Sequence, residues 1–168
     1  MKKNQFVLAV YVDNQFGVLT RVTSMFTRRG FNIDALTVGE TERPEFSRIT
    51  ISLSGDGYAR EQLLNQLRKL VNVKKVEIIP EDNAVKRELS LIKLRNTSEH
   101  RSEIMVAVEV YRAKIIDYGP ESLCIEITGE PSKIDAFIRT VMPYGIIEMC
   151  RTGEVALERG SASILEHD

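Results

Sequence analysis

Two hydrophobic periods alternate through the first 80 residues, and this pattern narrows the folds open to the chain more than any other feature. Phe6 to Val12 is apolar throughout. In an extended strand Phe6, Leu8, Val10 and Val12 share one face, and Val7, Ala9 and Tyr11 the other. Apolar residues on both faces predict cover on both. From Val18 to Arg29 the spacing becomes helical, with Val18, Val22, Met25 and Phe26 forming one stripe. Arg28-Arg29 suit the helix C-terminal end, and Gly30 suits its stop. Phe31 to Val38 reads as a second strand. A polar connection, Glu40 to Glu45 with Pro44, leads into a third strand from Phe46 to Ser54. There Ile49, Ile51 and Leu53 alternate with Arg48, Thr50 and Ser52. Gly55-Asp56-Gly57 is a turn, and Leu63, Leu64, Leu67 and Leu70 mark a helix over Arg60 to Leu70. Val73 to Ile79 is a fourth strand, which Pro80 ends.

The order βαββαβ predicts a ferredoxin-like sandwich: four antiparallel strands with both helices on one face. A unit of about 80 residues has a small core and one sheet face without helices. Pairing with a second copy is therefore expected, as a homodimer or higher homo-oligomer.

Pro80-Glu81-Asp82-Asn83 is a polar hinge. Beyond it the same order returns less cleanly, with strands at Glu88 to Leu94, Ile115-Ile116, Leu123 to Thr128 and Ile146 to Met149. Helices are expected at Arg101 to Arg112 and at Ser132 to Met142, the latter with Ser132 as its cap. The tail after Gly160 is expected to fray. The fold class is thus α+β, two ferredoxin-like sandwiches divided at 1–80 and 81–168. Charge divides similarly. Residues 1–79 hold 12 Lys/Arg against 8 Asp/Glu, a net +4, and residues 80–168 hold 11 against 16, a net −5.

Hydrophobic residues make up 43% of the chain, enough for a packed core. A basic stripe with interleaved aromatics is lacking, which argues against nucleic acid. No apolar run is long enough to span a bilayer, so no membrane role is expected. Met1-Lys2-Lys3 resembles the start of a signal peptide, but the apolar run that follows enters Asp13-Asn14 without a cleavage site. Cys124 and Cys150 form no CxxC pair, and with His100 and His167 they do not make a zinc set. Glycine-rich phosphate loops are absent. The expectations are a cytoplasmic protein with no cofactor and no metal.

Asp13-Asn14-Gln15-Phe16-Gly17 joins the first strand to the first helix. First-turn N–H groups lack intrahelical partners and favour a carboxylate. Gly17 allows close backbone approach, and the Asn14 amide can both donate and accept. A zwitterionic amino acid needs both. The plainer alternative is a capping residue with a turn glycine. Asn32 starts the second strand, and Ile33 with Val38 can line an aliphatic pocket at an interface. Asn32 is equally readable as a turn amide. Glu40, Glu42 and Glu45 read as a solvated turn. Catalysis finds no support. Thr20 and Ser24 have no histidine near them in sequence, His100 sits in a polar turn, and Cys124 alternates within a strand.

Two blocks then carry a resemblance. Val12-Asp13-Asn14-Gln15-Phe16-Gly17-Val18-Leu19-Thr20-Arg21-Val22 and Arg29-Gly30-Phe31-Asn32-Ile33-Asp34-Ala35-Leu36-Thr37-Val38 resemble the N-terminal ACT domain of the small regulatory subunit of acetolactate synthase (acetohydroxyacid synthase). The similarity continues at Val85 to Leu94, Arg151-Thr152-Gly153 and Ala156 to Gly160, across nearly the whole chain. The resemblance implies a non-catalytic subunit in branched-chain amino acid biosynthesis. Such a subunit binds and activates the large, thiamine-diphosphate-dependent catalytic subunit and confers feedback inhibition, usually by valine. It implies paired ACT domains with the effector between them. Asn14, Gln15, Phe16, Gly17, Val18 and Leu19 match the effector loop, and Asn32 with Ile33 matches the facing wall. Phe16 departs from the proline common there. Leucine and isoleucine stay open as effectors, and so does a stand-alone ACT sensor without this enzyme partner.

Overall fold

The computed structural model describes residues 5–165. The Met1-Lys2-Lys3 start and His167 lie outside them. The described residues form two compact units, one reaching to Val85 and resuming at Glu154, the other Lys86–Gly153.

In the first unit β1 (Gln5–Asp13) leads into α1 (Val18–Arg28), then β2 (Ile33–Glu40), β3 (Phe46–Ser54), α2 (Gly57–Leu67) and β4 (Val73–Ile79). The sheet order is β2-β3-β1-β4, and the recorded pairings are antiparallel. The expected sandwich is present. Phe6, Leu8, Val10, Val12, Ile49, Ile51 and Leu53 face Val22, Phe26, Leu63 and Leu67 in one buried cluster. Several boundaries differ from the pattern, among them the end of α2 at Leu67 in place of Leu70, and two of the shifts have a visible cause. The second strand begins at Ile33, because Phe31 N–H turns back to Phe26 O at 3.0 Å and closes the helix end. The second helix begins at Gly57, because Asp56 accepts from Ala59 N–H at 2.8 Å and caps it.

The second unit repeats the design. β5 (Ala84–Arg95) starts within the first unit and continues into the second, followed by α3 (Arg101–Val110), β6 (Lys114–Tyr118), β7 (Ser122–Gly129), α4 (Pro131–Val141) and β8 (Ile146–Arg151). Its order, β6-β7-β5-β8, matches that of the first sheet position by position. Ile92, Leu94, Ile125 and Ile127 pack on Ile104, Ile134, Phe137 and Val141. Ser132 does not cap α4. Glu130 is the cap position, makes no side-chain cap bond, and is followed by Pro131, whose fixed φ starts a helix. Glu88 is 5% exposed and is gripped by both Nε and Nη2 of Arg151, whose Nη1 reaches Asp135 at 2.8 Å. The hydrogen bond to Glu88, joined by Asp135, outweighs burial and raises the Arg151 pKa further above its usual value.

The chain end returns to the first unit. β9 (Val155–Glu158) pairs with β5, and Arg159 N–H donates to Asn83 O at 2.8 Å. Ala156 and Ile164 are buried against Val7, Ala9 and Ile79, on the sheet face opposite the helices. Arg48 Nη2 donates to Ala156 O at 2.8 Å, and Ser52 Oγ donates to Glu154 Oε1 at 2.7 Å. Burial lowers the Arg48 pKa. The second face of β1 is therefore covered by the chain itself, and the described part of the tail past Gly160 includes buried Ile164.

Candidate functional site

The loop after β1 is built from turns that leave its outer side open. Asp13 is held on the β4 side: its N–H donates to Asn72 O at 2.9 Å, and its carboxylate pairs with Lys74 Nζ at 3.1 Å. Asn14 turns the other way. Its N–H donates to Glu45 O at 2.8 Å, and its Nδ2 donates to Glu40 Oε1 at 3.0 Å and to Pro44 O at 2.9 Å. Both side-chain partners can only accept, so the amide orientation is fixed and Oδ1 is left as the group Asn14 offers elsewhere.

Gly17 stands at the N-cap of α1 with φ +82° and provides no capping side chain. A Cβ there would meet nothing within 4 Å. Val18 N–H reaches Gln15 O at a long 3.3 Å, and Val18 itself is buried as the first core residue of the helix. Phe16 is fully exposed at 107%, and Leu19 is 39% exposed. Two apolar side chains thus stand in solvent beside an uncapped helix start.

Asn32 and Ile33 are not beside this loop in one chain. Asp13 pairs with Phe46 at one end of the sheet, and Ile33 pairs with Leu53 at the other. The intervening helix of 11 residues is about 16 Å long. Asn32 Nδ2 donates to Asp34 Oδ1 at 3.2 Å, and Ile33 packs partly against the core.

The sequence pattern read Glu40 as part of a solvated turn and gave no sign that it or the Pro44 carbonyl would hold Asn14. Only the sheet order β2-β3-β1 carries the β2–β3 connection next to the end of β1, so local spacing held no signal for it.

The other candidate groups are dispersed. His100 contacts Glu103 at 3.1 Å and lies 5.2 Å from the Tyr144 ring. Cys124 and Cys150 are free thiols on β7 and β8, strands separated by β5. Among the described residues, no cluster of three or more His, Cys, Asp or Glu is placed to hold a metal, and no helix is long and apolar enough to cross a membrane.

Known proteins give this geometry a family. Residues 8–75 match the "AHAS small subunit-like ACT domain", and residues 87–160 match "Small subunit of acetolactate synthase". The acetolactate synthase small subunit of Mycolicibacterium smegmatis is 48% identical over 94% of this chain and 92% of its own length. The chain belongs to the acetolactate synthase small-subunit family. A probable small subunit from Archaeoglobus fulgidus is 47% identical over 92% of this chain and 96% of its own. The crystal structure of the Thermotoga maritima small subunit aligns with TM-score 0.88 and 43% identity, over 95% of this chain and 99% of the other. A small subunit is the regulatory, non-catalytic partner of acetohydroxyacid synthase in branched-chain amino acid biosynthesis. The Asn14–Gly17 loop lies within its matched ACT region.

Proposed function

We propose that this small subunit activates the acetolactate synthase catalytic subunit and makes it sensitive to a branched-chain amino acid, valine first, bound where two copies meet. The observation that carries this reading is the fixed amide of Asn14 beside the uncapped start of α1. First-turn N–H groups take the effector carboxylate. Asn14 Oδ1 and the adjoining Glu40 carboxylate take its ammonium, because both are acceptors. Gly17 keeps the approach clear.

Two further facts support a shared site. Asn32 and Ile33 sit at the far end of their own sheet, so they reach an Asn14 loop only from another copy. β2 is the edge strand of the described sheet, the position at which a second copy's sheet can join. Burial of Phe16 and Leu19 by the second copy would supply apolar contact around the effector's branched side chain. An effector spanning two copies favours one dimer arrangement. Inhibition follows when that arrangement engages the catalytic subunit differently.

The deciding experiment adds the chain to the catalytic subunit and follows pyruvate condensation with and without valine. Activity should rise on addition and fall with valine. Asn14→Ala should weaken inhibition and leave activation largely intact. Equal loss of both would contradict separate sensing and activating surfaces, and no response to the wild-type chain would leave only the stand-alone sensor.

A further inference from the structure

The helix face of the first unit carries a groove that effector sensing does not use. It lies between α1 and α2 and encloses about 490 Å³. Met25 and Leu70 are its half-buried apolar lining, and Arg21, Arg28, Arg29 and Lys69 bring four cations to it. No carboxylate lines it, although the chain holds 24 Asp/Glu against 23 Lys/Arg. Arg21 is steadied by a 3.0 Å bond to Asn72 Oδ1, a neutral acceptor. Helix dipoles account for Arg28 in the last turn of α1, but not for Arg21 in its first turns or for Lys69 from the turn after α2 beside the same apolar floor.

We propose that this groove is the docking surface for an acidic, amphipathic segment of the catalytic subunit. The inference rests on the regulatory reading above and names the surface that reading leaves open. An apolar strip flanked by cations accepts a segment whose apolar side is flanked by Asp and Glu, as helix-in-groove recognition requires. A second copy is a poor occupant for two reasons. A two-fold contact would set the four cations against their own counterparts, and charge would oppose it. A head-to-tail contact, groove to the acidic half, would build rings or open chains in place of the two-fold pair expected of such a sandwich. A separate catalytic subunit meets neither obstacle. Its approach would be steered by charge and weakened by salt.

The test measures association of the full-length chain with the catalytic subunit by titration calorimetry, at two ionic strengths. The R28E/K69E pair should weaken binding by about tenfold or more and flatten its salt dependence. R28K/K69R, which keeps both charges, should bind nearly as the wild type does. R68E reverses the charge next to Lys69, at the C-cap of α2 but outside the groove, and should also bind nearly normally. If the double reversal lowers the melting temperature, R28Q and K69Q singly should give the same ordering in smaller steps. Unchanged affinity in the reversed and neutralised variants would overturn the proposal. So would a change in self-association of the isolated chain with no change in partner affinity, which would give the groove to a second copy. Failure of the wild-type chain to bind would sink the regulatory reading itself, a result distinguishable from both.

Discussion

Asn14 acts through how its amide is held. An asparagine with both hydrogens committed to Glu40 and Pro44 presents only an oxygen, so in the proposed effector site it would read an ammonium and not a carboxylate. Glu40 orients that amide, and on the proposed reading it would also add negative charge where the ammonium sits. Glu40→Gln separates these two roles, because glutamine still offers an oxygen to Asn14. We expect the valine concentration for half inhibition to rise about tenfold, the loss of one charge-assisted bond. Response to the matching 2-oxo acid, which has no ammonium, should not weaken in parallel. An equal loss for both compounds in the condensation assay would remove Glu40 from ammonium recognition.

Among the elements, the returning C-terminal segment changes the account of stability most. A four-stranded sheet with helices on one side leaves the other face bare, and here Ala156 and Ile164 cover Val7, Ala9 and Ile79. Ile164→Ala should lower unfolding free energy by about 2 kcal/mol, the lower end for a buried isoleucine because it is at the rim of its cluster. Urea denaturation measures this, and a change below a few tenths would show the cover to be loose. The Arg151 clamp lies three residues before Glu154, where the same segment begins. Arg151→Met leaves the buried Glu88 carboxylate unpaired and should cost about 3 kcal/mol. Adding Glu88→Gln should recover much of that loss. A double variant no better than the single would mean that the charge was not the issue.

At the scale of the molecule, the matching sheet orders of the two units describe one design used twice, with different surfaces. The net positive first half carries the Asn14–Gly17 loop and the cationic groove, and the second half is net negative. If the effector bridges two copies, it must bind the dimer better than the monomer, and by linkage it must strengthen the dimer. Sedimentation velocity on diluted protein should therefore move toward the dimer as valine is added. An unchanged distribution across saturating valine, with binding seen by calorimetry, would confine the site to one chain.

The order of strands and helices through β8 followed from hydrophobic period, because strand residues such as Ile49, Ile51 and Leu53 and helix residues such as Val22 and Phe26 owe their burial to regular spacing, whereas β9 was not anticipated. The exposed helix-start loop was legible for a similar reason: Gly17 ends one local pattern and begins the next. Glu40, Arg48 and Ile164 were not legible, since their partners lie 26 or more residues away along the chain and local spacing carries no record of such pairings. Sequence by itself determined the two sandwiches and the loop. Only tertiary structure decided which way Asn14 faces, what covers the second face of β1, and that Asn32 lies too far from Asn14 to share a site within one chain. Those outcomes depend on which strands become neighbours, and that is settled by packing across the whole sheet.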